Sequence, residues 1–206
     1  MKTVDDAVLI DVGTGNIHSV LNALQSLGYK IKLSSDPHDV LNASRLVLPG
    51  VGAFGHFMDG MRELNLEDAI LESIRKEAPM LGICVGMQAL LNVGREMGNY
   101  QGLGLVDGEV IRFPQDPLLK VPHNGWNQLH FEKECPLFSG LSEGSYVYFT
   151  HSYYCSVTNQ SDWAASTDYG FRFASSVQKG LVFGVQFHPE KSQKNGLKIL
   201  SNFFKV

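Results

Sequence analysis

The sequence predicts an α/β fold: a largely parallel sheet with helices on both faces and a β-rich second half. Three observations predict it. Apolar runs of strand length alternate with helix-period segments as far as Leu91. Turns containing glycine, proline and asparagine separate them. From about Leu103 to Phe187 the helical period gives way to β-rich segments.

Ala7 to Val12 is a continuous apolar run of strand length, ended by Gly13-Thr14-Gly15-Asn16. A helix follows, with Val20, Leu21, Leu24 and Leu27 at 3.6-type spacing and Gly28 as its stop. Residues 30–34 alternate like a half-buried strand, and Arg45 to Leu48 form a third, broken by Pro49-Gly50. Helices over about 56–64 and 67–78 lead to a fourth strand, Met80 to Ile83. Cys84 stands at its end, and Met87, Ala89, Leu90 and Leu91 continue as a helix. Strands joined through helices pair in parallel. The second half offers E-V-I-R-F, Q-L-H-F, Y-V-Y-F-T-H, F-R-F-A-S-S-V and L-V-F-G-V-Q-F, then a final helix at 192–204 with Leu197, Leu200, Phe203 and Phe204 inward. No repeat or linker interrupts the chain, so residues 1–206 read as one domain.

The apolar fraction of 44% and charged fraction of 18% are those of an ordinary globular protein. A net charge of −4 without a basic run argues against a nucleic-acid surface. No stretch approaches the ~18 apolar residues of a membrane span, and Met1 to Asp6 do not read as a signal peptide. Cys84, Cys135 and Cys155 cannot all pair and lack metal-ligand spacing, which fits a reducing cytoplasm. Zinc-hydrolase and deaminase patterns are missing as well.

Three segments carry chemistry. In Gly82-Ile83-Cys84-Val85-Gly86 a nucleophile stands between glycines two residues away on each side. That is an elbow, a sharp strand-to-helix turn that lifts the side chain above the sheet. Val85 N–H would face an oxyanion formed beside Cys84, and the helix start would favour the thiolate. The alternative is a buried structural cysteine. In His188-Pro189-Glu190 the proline biases His188 to an extended conformation, so His188 and Glu190 project to one side: a base with its orienter. The alternative is a surface histidine beside a turn. Pro49 to Gly55 is formally G-x-G-x-x-G, but it does not follow the first strand and lacks the acidic residue that dinucleotide sites need. Gly50, Val51 and Gly52 read better as a backbone strip close to a substrate carbonyl. His151 is a weaker candidate for a second base. Asp11, inside an apolar strand, calls for a buried partner.

Taken in order, these segments resemble the class I (triad) glutamine amidotransferases, and most of all the family of glutaminase subunits of imidazole glycerol phosphate synthase. D-V-G-T-G-N-I-H-S-V (11–20), P-G-V-G-A-F-G (49–55), G-I-C-V-G-M-Q (82–88), V-P-H-N-G-W-N (121–127) and Q-F-H-P-E-K-S (186–192) carry the likeness over nearly the whole chain. The resemblance implies a doubly wound, flavodoxin-like fold. It implies hydrolysis of glutamine to glutamate and ammonia by Cys84, His188 and Glu190, with no metal or organic cofactor. It further implies a heterodimer with a cyclase subunit whose (β/α)8 barrel uses the ammonia in histidine biosynthesis. By matching position Gly52, Gln88, Ser152 and Tyr153 would hold the glutamine, and His123, Trp126, Asn127 and Lys191 would face the partner. Two positions depart from the family: Asn124 stands where Met is usual, and Val85 where Leu is usual. Asn124 lies in the segment implied to face the partner, and related subunits feed ammonia to amidino-sugar synthesis instead.

Overall fold

Strand and helix alternate up to Gln88 in the computed structural model, which describes residues 6–13, 17–117 and 119–206. The elements are β1 (Ala7–Ile10), α1 (Ile17–Ser26), β2 (Ile31–Ser34), α2 (Pro37–Leu41), β3 (Leu46–Gly50), α3 (Phe54–Glu63), α4 (Leu66–Arg75), β4 (Met80–Cys84) and α5 (Val85–Gln88). Then come β5 (Val93–Gly94), β6 (Tyr100–Gln101), β7 (Gly108–Arg112), β8 (His123–Gln128), β9 (His130–Phe131), β10 (Tyr146–His151) and β11 (Tyr153–Val157). The chain closes with β12 (Trp163–Tyr169), β13 (Phe171–Lys179), β14 (Val182–Val185) and α6 (Gln193–Phe203). No helix among the described residues is long and apolar enough to cross a membrane.

Local chemistry explains the boundaries. β1, β3, β4 and β14 are buried along their whole length, as continuous apolar runs covered on both faces must be. α1 buries Ile17, Val20 and Leu24, one stripe of a 3.6-residue period. α2 starts at Asp36, whose side chain accepts the N–H of His38, with Pro37 in the first turn. Asp11 lies just past β1, where its Oδ1 accepts the N–H of Gly13 at 2.8 Å. It closes a turn and needs no buried partner. The Thr14-Gly15-Asn16 part of that expected turn lies outside the described residues.

Among the described residues the main sheet has eight strands in the order β2-β1-β3-β4-β14-β13-β12-β9. β2, β1, β3, β4 and β14 run parallel, and β13, β12 and β9 extend the edge antiparallel. Right-handed crossovers fix the helices. The chain steps one way from β1 to β2 and the other way from β2 to β3. α1 therefore covers one face together with α6, while α2, α3 and α4 pack on the other. The result is a doubly wound, mostly parallel α/β sheet whose order reverses beside β1. Such sheets place their sites at the carboxyl ends of the strands. Among the described residues there are two smaller sheets, β10-β8 and β11-β7-β5-β6, and the ends of β10 and β11 share a cavity with Cys84.

Two expectations change. The helix after Cys84 is a single turn rather than a run to Leu91. The carbonyls of Ala89, Leu90 and Leu91 accept N–H groups of Leu103, Leu105 and Gly104, so they have no further turn to serve. In α6 the deepest residues are Ile199, Leu200 and Phe203, with Leu197 and Phe204 half-buried. The helix is rotated slightly from the stripe expected.

Candidate active site

Cys84 ends β4 with φ 55° and ψ −111°, a conformation that L-residues avoid and that costs of order 1–3 kcal/mol. The flanking glycines make the elbow possible. A Cβ on Gly86 would lie 1.8 Å from the Leu48 carbonyl oxygen, and one on Gly82 2.5 Å from the Gly86 carbonyl oxygen. The turn thus folds directly against β3, which puts Gly50 in register with Cys84. The brevity of α5 removes most of the macrodipole expected at the sulfur, because four residues align few peptide dipoles. The free N–H groups of a single first turn remain.

His188 follows β14 and is extended, with φ −99° and ψ 96°, as a residue before proline should be. Glu190 reaches it through a short 3-10 turn over Pro189–Lys191 rather than along an extended chain. His188 Nδ1 and Glu190 Oε1 are 2.8 Å apart, and both side chains are almost wholly buried. Since the carboxylate can only accept, Nδ1 carries the proton and Nε2 is left as the basic nitrogen. Ser192 anchors the segment: its Oγ donates to the His188 carbonyl at 2.6 Å and accepts the Tyr148 N–H at 2.9 Å. Nε2 has no hydrogen-bond partner in the resting geometry, and neither has Glu190 Oε2. Burial lowers the His188 pKa, but the Cys84 side chain and then Glu190 outweigh it and push it up to about 10, so Nε2 readily holds the proton that Cys84 gives up. Cys84, His188 and Glu190, read separately from distant segments, are therefore brought together.

Cys84 and His188 open into a cavity of about 400 Å³, which Val51, Gly52, Val85, Gln88, Ser152 and Tyr153 also line, while Glu190 stays behind His188. Gly52 turns the strip after β3 with φ +90°, a left-handed geometry suited to glycine. Gln88 Nε2 is committed to the Tyr153 carbonyl at 3.2 Å and to Gln186 Oε1 at 3.1 Å, which leaves its Oε1 for a ligand. Sequence reasoning missed Glu96. It is the acidic residue lining the cavity, and its Oε2 accepts the Phe54 N–H at the start of α3 at 2.8 Å. No periodicity marks it, because it lies in an irregular segment. A larger cleft of about 730 Å³, between Phe131 and Leu141, holds none of these residues. Cys135 and Cys155 are buried, and burial raises the pKa of both thiols.

The expected partner-facing residues divide by strand parity. β8 pairs with β10 so that Trp126 lies opposite Tyr148 and His123 opposite His151. Alternate residues take opposite faces. Trp126 is 45% exposed and meets Tyr148 edge-on at 6.0 Å, while Lys191 Nζ lies 5.9 Å over the Tyr148 ring. Asn124 joins that outer face, its Oδ1 accepting from Tyr148 Oη at 2.8 Å. His123 does not. It is 3% exposed and stacked between Phe149 and Tyr169. Asn127 shares its inward parity and donates to His123 Nε2 at 3.3 Å. Burial lowers the His123 pKa to about 4 and that of His151 to about 3. His151 is thus a buried neutral histidine.

An elbow cysteine, a buried His–Glu pair and a cavity at the carboxyl end of a doubly wound sheet form the arrangement that acyl transfer of the triad type requires. Residues 8–206 match the family model for glutamine amidotransferase class-I, and the chain belongs to that family. Among its relatives, imidazole glycerol phosphate synthase subunit HisH from Aquifex aeolicus is 48% identical, over 95% of this chain and 94% of that one. The protein of the same name from Syntrophotalea carbinolica is 45% identical, over 95% and 98%. In fold the chain is similar to a glutamine amidotransferase of Thermotoga maritima, at a TM-score of 0.64 and 16% identity over 96% of this chain and 81% of that one.

Proposed function

We propose that this chain is the glutaminase subunit of imidazole glycerol phosphate synthase, hydrolysing glutamine to glutamate and ammonia and passing the ammonia to a cyclase subunit. The observation that carries the chemistry is the 2.8 Å contact between His188 and Glu190 beside the strained Cys84. His188 Nε2 takes the Cys84 proton, and the sulfur attacks the side-chain amide of glutamine. N–H groups of Val85 and of the Gly50-Val51-Gly52 strip hold the oxyanion. Imidazolium His188, stabilised by Glu190, returns the proton to the leaving nitrogen, and ammonia departs. Water, activated by the same imidazole, then hydrolyses the glutamyl thioester and restores the thiol. Gln88, Ser152 and Tyr153 hold the substrate, and the Glu96 carboxylate meets its α-ammonium group.

The partner docks on the outer face of the β8–β10 ribbon, where Trp126 packs on Tyr148 and Lys191, over the same ring, lines the cavity. The support is an exposed tryptophan backed by Tyr148, with a cation next to it. His123 and Asn127 act behind that face rather than on it. Ammonia release from glutamine is measured for the chain alone and with the cyclase bound to its own substrate. Release that rises with the cyclase and vanishes in Cys84→Ala supports the reading. Release that survives Cys84→Ala, or an absence of release in both settings, refutes it.

A further inference from the structure

Gln186 is fully buried between the end of β14 and His188. Its Nε2 lies 3.7 Å from Cys84 Sγ, and its Oε1 3.1 Å from Gln88 Nε2. The two ends of an amide have the same shape, so its sense must come from a group with one fixed role. The Tyr153 carbonyl is that group, since it only accepts. It takes Gln88 Nε2 at 3.2 Å and His151 Nδ1 at 2.8 Å, one for each lone pair.

Both arms then have a single sense. On the first, Gln88 turns its amino group inward, so Gln186 must offer oxygen to Gln88 and its amino group to the sulfur. On the second, His151 carries its proton on Nδ1, and its Nε2 accepts from His123 Nδ1 at 3.0 Å. His123 Nε2 in turn accepts from Asn127, whose amino group also serves the Asp168 carbonyl at 3.0 Å. Burial keeps both imidazoles neutral, so this sense holds through the neutral range. The buried side of the ribbon that carries Trp126 is thereby joined to the nucleophile by directed hydrogen bonds alone.

Resting on the reading of Cys84 as nucleophile, we propose that Gln186 is a positioning residue of the glutaminase reaction. Its amide N–H holds Cys84 Sγ in the attacking orientation and bonds the thiolate left when His188 takes the proton. The Tyr153 carbonyl sets the sense of that amide. Among the described residues no other side chain donates a hydrogen bond to the sulfur, and His188 Nε2 stands without a partner as the acceptor of its proton.

Three variants of the full chain test this, each assayed with the cyclase bound. Gln186→Met removes the donor at similar length, Gln186→Glu turns an acceptor toward the sulfur, and Gln186→Asn withdraws the amide by one methylene. A bond to a charged acceptor translates into a fall in kcat of about 10- to 100-fold. KM should change less than about threefold, and alkylation of Cys84 by iodoacetamide at fixed pH should slow in step with kcat. Gln186→Glu should be the slowest. Any one variant that is folded by circular dichroism decides the matter. If it keeps kcat and alkylation within about twofold of the parent, or raises KM alone, Gln186 is a packing residue and the proposal falls. Cys84→Ala is run in parallel. Turnover in that variant would overturn the nucleophile itself, whereas a silent Gln186→Met beside an inactive Cys84→Ala overturns only the role of Gln186.

Discussion

Replacing Glu190 with glutamine keeps the shape of the His188 partner and removes its charge. The His188–Glu190 contact is 2.8 Å long with both side chains nearly inaccessible, so solvent screens it little. A charge-assisted hydrogen bond of this kind contributes about 1.5–3 kcal/mol, which is roughly 10- to 150-fold in rate if it is made to the imidazolium of the transition state. The amide brings a second cost. Glu190 Oε2 has no partner, and an N–H placed there stays unsatisfied, at about 1–3 kcal/mol of stability. A flip of the amide would relieve that, but it would present N–H to Nδ1 and force the His188 proton onto Nε2. The base would then be lost, and turnover would fall further. Linkage gives an independent readout. Burial lowers the His188 pKa, and the Cys84 side chain and Glu190 together raise it to about 10, above the 6.5 of the free side chain. Its contribution to stability is fully present below about pH 6.5 and is lost as pH rises through about 10. Urea unfolding from pH 6 to 10 should show that decline in the parent chain and a shallower one in Glu190→Gln, with ammonia release measured on the same samples. Equal kcat in both proteins, with identical pH dependence of unfolding, would show that Glu190 is only a turn residue.

Cys84→Ala should abolish ammonia release by several orders of magnitude, near the ~10⁶ known for loss of a triad nucleophile. A glutamine-like electrophile should label Cys84 and spare Cys135 and Cys155, as peptide mapping would reveal; modification of either buried thiol instead would move the site. Gly86→Ala puts a methyl where the Leu48 carbonyl stands 1.8 Å away. It should destabilise the fold by at least about 1–3 kcal/mol in chemical denaturation, and an unchanged midpoint would mean that the elbow relaxes freely. Trp126→Ala and Lys191→Ala should leave the melting temperature unaltered and weaken cyclase-stimulated glutaminase activity, while synthesis from added ammonium continues. Full stimulation in both would place the docking surface elsewhere.

The main features of the fold could be read from the chain because they depend on local period. β1, β3, β4 and β14 are apolar from end to end and are buried on both faces, and α1 repeats its stripe every turn. The length of α5 could not be read the same way. Met87, Ala89, Leu90 and Leu91 suit a helix equally well, and a loop more than ten residues away decides where it stops by taking their carbonyls. β11 and β12 were not foreseen as strands, since Ser, Thr and Asp interrupt their alternation and long-range pairing holds them.

The candidate site divides in the same manner. Cys84 between glycines and His188 two residues before Glu190 are statements about spacing, and spacing is a property of sequence. That all three meet depends on β4 and β14 being neighbours in the sheet, although about 100 residues of chain separate them. The segment from His123 to Asn127 names its side chains but hides its period, because Asn124 and Gly125 resemble a turn. Once β10 pairs with it, parity sends Trp126 outward and His123 and Asn127 inward. Glu96 leaves no pattern at all, and Gln186 stands in the 186–192 motif without a spacing that assigns it a role. The sequence by itself determined which residues are candidates for reactive chemistry and which apolar runs form the central strands and their helices, because both depend on near neighbours. Only the tertiary structure decided which of those groups share a cavity, which ring faces solvent and which way each buried amide points, because each is set by a partner distant in the chain.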